Sequence, residues 1–264
     1  MKHSLSLSVV LPAYNEAENI GQVIASAVKY LIDRQICYEI IVVNDGSTDA
    51  TQAIVTAIAA NNSQIRLIDH PRNLGYGSAL RSGFDRALYE YIFLTDSDGQ
   101  FDISDLDRFL PYIYDLQGHI LSKIVIGFRA KRADVFMRSC NAWLYHIFIQ
   151  LVLGIRTKDI DCAFKLFPRS IYQAIKPIKS DGALFSAEFL WKLQHLPIAG
   201  MILEPIIELP VQHFPRRFGT ATGANIKVIL KMFWECWQLK KEYTGRGQIQ
   251  LNPDKLSGIN QIRS

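Results

Sequence analysis

The stretch Tyr91-Ile-Phe-Leu-Thr-Asp-Ser-Asp-Gly-Gln100 decides how the chain is read. A short apolar run suited to a buried strand ends abruptly in two carboxylates one residue apart, followed by a glycine and an amide. In open α/β sheets ligands collect outside the carboxyl ends of the strands, so this ending delivers Asp96 and Asp98 to the rim of a pocket. Two hard oxygen ligands suit Mg²⁺ or Mn²⁺, which commonly keep one or two protein carboxylates and complete their shell with phosphate oxygens. The competing reading is an ordinary turn closed by Asx hydrogen bonds, and the neighbouring segments decide between the two.

Upstream, Leu5-Ser-Leu-Ser-Val-Val-Leu11 reads as a strand that stops at Pro12. Asn15 and Glu18 then have the spacing of a capping box for a helix carrying Ile20, Val23, Ile24, Ala27 and Leu31. A second, almost wholly apolar strand, Tyr38 to Val43, ends in Asn44-Asp-Gly-Ser-Thr-Asp49, where Ser47 or Thr48 can cap the helix through Ile54 and Ile58. Ile65 to Ile68 forms a third strand, and Arg72-Asn-Leu-Gly-Tyr-Gly-Ser-Ala-Leu-Arg-Ser-Gly83 opens the helix before Tyr91. Four βα units in this space predict a parallel, helix-covered α/β sheet. Three strand ends rich in turn residues and carboxylates converge on one edge, which suits a nucleotide better than a bare sugar. No Gly-x-Gly-x-x-Gly follows the first strand and no Walker P-loop is present, which argues against those two nucleotide folds.

Composition narrows the classes further. The 264 residues are 49% hydrophobic and 20% charged, enough for one large domain with its own core. A net charge of +4 without a lysine and arginine block argues against a nucleic-acid partner. Cys37, Cys140, Cys162 and Cys236 are widely separated and lack metal-ligand spacing, so a reducing, cytoplasmic setting is expected. The longest uncharged stretch, Ser139 to Ile155, is too short and too often interrupted for a membrane span.

Pro12-Ala-Tyr-Asn-Glu16, Asn44-Asp-Gly-Ser47, Asn73-x-Gly75 with Ala79 and Gly83, and Asp96-Ser-Asp-Gly-Gln100 together resemble the family 2 glycosyltransferases of GT-A fold. Within that family the pattern is similar to the dolichol-phosphate mannose synthase-like, polyprenyl-phosphate branch. The resemblance covers roughly residues 5 to 220. It implies a single mixed, mostly parallel sheet flanked by helices over residues 1–243, with a nucleotide-binding half (1–115), an acceptor half (116–243) and a polar tail (244–264).

The resemblance also implies roles. Pro12, Tyr14, Glu16, Asp45, Arg81 and Asp96 would bind the nucleotide sugar, and Asp96, Asp98 and Gln100 would hold Mg²⁺ or Mn²⁺. Asp161, in Asp159-Ile-Asp-Cys-Ala-Phe-Lys165, would face the acceptor, although Ala163 stands where the family often has glycine. Asn44 likewise stands where many relatives have aspartate. Arg129 and Arg217 would assist the departing diphosphate, while Arg138, Glu188, Arg216 and Thr220 would bind the acceptor or its phosphate. The implied activity is inverting transfer of a sugar from a nucleotide diphosphate sugar to a polyprenyl phosphate. A sugar hydroxyl is the alternative acceptor, and a non-catalytic nucleotide-sugar-binding subunit is a second alternative. Two amphipathic stretches, one around Trp143 to Ile155 and one from Asn225 to Lys241, suit either peripheral contact with the cytoplasmic membrane face or a core or homo-oligomer interface.

Overall fold

The computed structural model describes residues 5–114, 121, 123–130, 147–182, 184–195, 206–218 and 234–241. Its centre is a seven-stranded sheet: β1 (Ser6–Ala13), β2 (Cys37–Asn44), β3 (Ile65–Asp69), β4 (Tyr91–Leu94), β5 (Val125–Arg129), β6 (Lys165–Pro168) and β7 (Ile207–Val211). The spatial order is β3-β2-β1-β4-β6-β5-β7. β1 to β4 pair in parallel, as do β5 and β7, while β6 pairs antiparallel with both β4 and β5. The sheet is therefore mixed and mostly parallel, with one reversed strand in its middle.

Every strand side chain in the centre is buried because helices cover both faces. Along β1, β2 and β4, Val10, Ile41, Val43, Ile92 and Leu94 point into one apolar cluster. Val9, Leu11, Ile40, Val42 and Phe93 point into the other, as the two-residue period of a strand requires. Helix α1 (Ile20–Asp33) lays Ile20, Ile24, Ala27 and Leu31 onto the second cluster. α2 (Thr51–Asn61) buries Val55 in that same cluster. α3 (Tyr76–Arg86) and the helix Phe185–His195 cover the opposite face. α3 lies close to the sheet because Gly83 has no side chain; a Cβ there would sit 2.4 Å from Val10 Cγ1.

Two helix starts differ from the sequence reading. α1 begins at Ile20, not beside Asn15, which adopts a left-handed backbone (φ 56°) and acts in a loop. α2 begins at Thr51, whose N–H and hydroxyl donate to Asp49 Oδ1 at 2.9 and 2.5 Å, so the anchoring side chain is Asp49 rather than Ser47 or Thr48. Asn15 ties one loop to another instead of capping a helix, and Asp49 does both, holding Thr51 with Oδ1 and Ala17 N–H with Oδ2.

Candidate active site

The parallel register brings the ends of β1, β2 and β4 side by side. Ala13 lies opposite Asn44, and Thr95 N–H donates to Val10 O at 3.3 Å. The loop after β1 is laced to the loop after β2. Asn15 N–H donates to Ser47 Oγ (2.9 Å), Thr48 N–H to Asn15 Oδ1 (2.8 Å), Glu16 N–H to Thr51 Oγ1 (2.8 Å) and Ala17 N–H to Asp49 Oδ2 (3.0 Å). Pro12 closes β1 and accepts the Ser97 hydroxyl through its carbonyl, which ties the first strand end to the Asp96-Ser-Asp turn. Tyr14 is exposed at the mouth of this arrangement.

Asp45, expected on the nucleoside, is 3% exposed and turned inward. Its Oδ1 contacts His70 Nδ1 at 2.7 Å and accepts Leu74 N–H at 2.9 Å, and its Oδ2 accepts Gly75 N–H at 2.9 Å. The carboxylate thus organises the glycine loop that leads into α3. Arg81, also expected on the nucleotide, donates to Ile178 O at 2.8 Å and pairs with Asp181. It staples α3 to the 178–181 turn. Glu188, expected near the acceptor, is fully buried and accepts Lys179 N–H (3.0 Å), Ser180 N–H (2.9 Å) and Ser180 Oγ–H (2.7 Å), with Lys192 Nζ at 3.2 Å. Its carboxylate holds the 179–180 turn.

At the end of β4, Asp96 Oδ1 accepts the Tyr76 hydroxyl at 3.2 Å. Burial, and then the Asp98 charge, push the Asp96 carboxyl up to about 7. Asp98 Oδ1 accepts Gln100 N–H at 3.0 Å, and Gly99 completes the turn with φ +73°. Gln100, expected as a metal ligand, donates its amide to Phe214 O at 2.9 Å, and Phe214 N–H donates back to Gln100 O at 2.8 Å. Gln212 N–H adds a bond to Asp105 Oδ2 at 2.6 Å. The segment 212–218 is thereby strapped along the turn that carries the two aspartates.

Arg216, on that strap, pairs with Glu16 and lies 3.6 Å from Asp98 Oδ2. It sits between the β1 loop and the aspartate turn. Glu16 also accepts Asn19 Nδ2–H at 2.8 Å, and burial still raises its pKa. Arg217 lines a cleft of about 300 Å³ together with Asn19, Gln22, Asp96, Asp98 and Phe214.

Arg129, at the end of β5, is gripped by Asp159: Nε and Nη2 donate at 2.7 and 2.9 Å, and the backbone N–H at 3.2 Å. The hydrogen bonds and charge of Asp159 raise its pKa against the opposing effect of burial. Asp161 is exposed on the turn before β6, close enough that its charge raises the Tyr76 pKa after the larger effects of burial and Asp96. Buried Lys165 holds that turn by donating to Ile160 O at 3.1 Å and to Cys162 O. Arg138 and Thr220 lie outside the described residues, as do residues 139–146 and 225–233 of the two amphipathic stretches.

Tyr76 thus bonds to Asp96 at the β4 end and feels the charge of Asp161 on the turn before β6, and the profile of glycosyl transferase family 2 matches residues 8–176, which include all three. The chain belongs to glycosyl transferase family 2. It is similar to dolichyl-phosphate beta-glucosyltransferase from Dictyostelium discoideum (31% identical over 223 residues, 79% of this chain and 66% of that protein). It is also similar to a dolichyl-phosphate beta-glucosyltransferase from Trichomonas vaginalis (35% over 179 residues, 64% and 53%). A third relative is dodecaprenyl-phosphate galacturonate synthase from Rhizobium johnstonii (29% over 237 residues, 87% and 66%). The chain spans from about half to two thirds of the length of these relatives. Glucosyl-3-phosphoglycerate synthase from Mycobacterium tuberculosis, solved with Mn²⁺ and uridine-diphosphate-glucose, superposes with a TM-score of 0.62 at 19% identity, covering 96% of this chain and 86% of that one. That likeness shows the GT-A fold.

In this family 2 chain the donor set fits a hard divalent cation. Asp96 and Asp98 stand one residue apart after β4, and burial, then the Asp98 charge, keeps a proton on Asp96 near neutrality. Divalent cations of this class commonly take one or two protein carboxylates and complete their shell with phosphate oxygens and water. A pH dependence follows. Folding raises the Asp96 pKa from about 3.9 in the unfolded chain to about 7. The metal-free protein should therefore lose stability as pH rises between those values. Mn²⁺ should raise Tm more at pH 8 than at pH 6, because binding expels that proton. Thermal melts across pH with and without Mn²⁺ check both signs.

Local pattern does not mark the roles of Tyr76, Asp159 and Lys165. Asp159 and Lys165 lie in the Asp159-to-Lys165 motif, but their pairing with Arg129 and with two carbonyls is visible only once β5 and β6 are adjacent. Nothing in the local pattern marked Tyr76.

Proposed function

We propose that the chain transfers a sugar, with inversion, from a nucleotide diphosphate sugar to a polyprenyl phosphate. The observation that carries this reading is the Asp96-Ser-Asp98 turn after β4, with Asp96 bonded to Tyr76 and the charge of the exposed Asp161 acting on the same tyrosine, in a chain whose relatives are named for polyprenyl-phosphate acceptors. The nucleoside lies against Pro12, Tyr14 and Glu16. Asp96 and Asp98 hold Mg²⁺ or Mn²⁺, and a bound divalent cation offsets charge on the donor diphosphate. Arg217 reaches the diphosphate from the strap and helps to exclude water. The acceptor oxygen attacks the anomeric carbon as the bond to the diphosphate breaks. A phosphate acceptor is already ionised, so Asp161 orients it and removes no proton.

Peripheral membrane contact extends the proposal. Trp234 and Trp237 are each 59% exposed on the helical segment 234–241, whose Cys236 and Leu239 are buried, and Lys241 Nζ lies 5.7 Å from the Trp237 ring centre. Such an aromatic face edged by lysine suits an anionic headgroup layer. No helix among the described residues is long and apolar enough to cross a membrane.

The test supplies labelled nucleotide sugars and Mn²⁺ with either undecaprenyl phosphate in anionic vesicles or soluble glycosides. Label should enter the lipid, and Asp161→Asn should slow that transfer by less than about tenfold, whereas loss of a required general base would cost about 100- to 10,000-fold. Transfer only to hydroxyl acceptors would overturn the phosphate reading. Trp234→Ser with Trp237→Ser should reduce sedimentation with the vesicles; unchanged sedimentation would remove this helix from the membrane account.

A further inference from the structure

We infer that Tyr76 is a positioning residue for Asp96, and that the start of α3 is built to hold its hydroxyl in place. The inference rests on the metal role proposed for Asp96. Tyr76 Oη donates to Asp96 Oδ1 at 3.2 Å, which orients the carboxylate and leaves Oδ2 for a cation. The ring is half-buried and packs against the cluster on the α3 face of the sheet.

The backbone that carries Tyr76 is gripped from two sides. From the β2 end, the Asp45 carboxylate accepts the N–H groups of Leu74 and Gly75, each at 2.9 Å. From the other side, the 179–181 turn presses on the helix start. Ser78 N–H donates to Asp181 O at 3.2 Å and Ser78 Oγ–H to Asp181 Oδ1 at 2.9 Å. The contact is too close for side chains on the intervening residues. A Cβ on Gly75 would lie 2.6 Å from Asp181 O, and one on Gly77 would lie 2.5 Å from Ser180 O. Gly75 also has φ +98°, a conformation that other residues rarely adopt. The turn is itself fixed from within by the buried Glu188. Two buried carboxylates, Asp45 and Glu188, therefore act on the site through a helix terminus, and Tyr76 carries their effect to Asp96.

The test compares the wild-type chain with Tyr76→Phe, which keeps the ring and removes only the donor. Calorimetry measures Mn²⁺ affinity in the presence of UDP, and a thermal melt is run on the same samples. Loss of an outer hydrogen-bond partner typically weakens metal binding by about 10- to 100-fold. That loss is expected here, with Tm changed by no more than a few degrees. Gly77→Ala, which displaces the helix start and leaves the tyrosine intact, should weaken Mn²⁺ binding in the same direction. Unchanged affinity in Tyr76→Phe overturns the inference, as does a loss that only accompanies a large fall in Tm. Absence of Mn²⁺ uptake by the wild type would instead overturn the metal reading of Asp96 and Asp98.

Discussion

Asp98→Ala should remove Mn²⁺-dependent donor binding and lower sugar transfer by about 1,000-fold, the scale of losing a group that stabilises developing charge in a water-poor site. The protein should stay folded. Asp98 receives one backbone N–H bond and lies 3.6 Å from Arg216, while its charge opposes ionisation of Asp96. Taking that charge away relieves repulsion, so the metal-free variant should melt at or above the wild-type temperature at pH 8. Calorimetry with Mn²⁺ and UDP, transfer rates and thermal melts separate these effects. A variant that bound and turned over donor as the wild type does would end the metal assignment. One that lost activity because it had unfolded would contradict the small structural role argued for this side chain.

The second large effect is on stability. Asp159→Ala leaves the Arg129 guanidinium, 13% exposed, without the carboxylate that now takes two of its side-chain donors and its backbone N–H. Breaking a buried ion pair by removing one partner costs about 3–5 kcal/mol, because the remaining charge is left in a poor solvent. For a chain of this size that corresponds to a fall in Tm on the order of 10 °C. The pair can be removed together at far smaller cost. Asp159→Leu combined with Arg129→Met should recover most of the lost stability, since an apolar pair of similar volume has no desolvation penalty. Transfer should remain impaired in the double variant if Arg129 serves the phosphates, and should return with stability if the pair is purely structural. Chemical denaturation and transfer rates on the three variants decide it.

The α/β order was legible from local pattern. β1 to β4 and the helices between them read directly from apolar runs and turn residues, because a strand buried on both faces needs a continuous apolar stretch. The reversed strand β6 was harder to see. Its Lys165-Leu-Phe-Pro168 carries a lysine at one end and a proline at the other, and it acquires strand geometry by pairing with β4 and β5. The start of α1 lies beyond Asn15 because Asn15 bonds to the loop after β2, a choice made only after the two strand ends come together.

The site divides in the same way. Composition and the Asp96-Ser-Asp-Gly-Gln motif were sufficient to mark a carboxylate-bearing strand end, and the four ordered motifs were sufficient to mark the family. Residue type and spacing are local properties that survive without a fold. What each polar side chain does is not local. Asp45 and Glu188 look like ligand-facing acids in the sequence, yet both are buried and hold backbone N–H groups; Gln100 looks like a ligand and staples a strap. A carboxylate or an amide accepts or donates to whatever the packing places beside it, and burial makes leaving it unpaired costly. The sequence by itself therefore determined the family, the four parallel strands β1 to β4 and the position of Asp96 and Asp98. The tertiary structure alone decided which of the other acids and amides face inward, and it supplied Tyr76, whose role comes from one hydrogen bond between residues twenty positions apart.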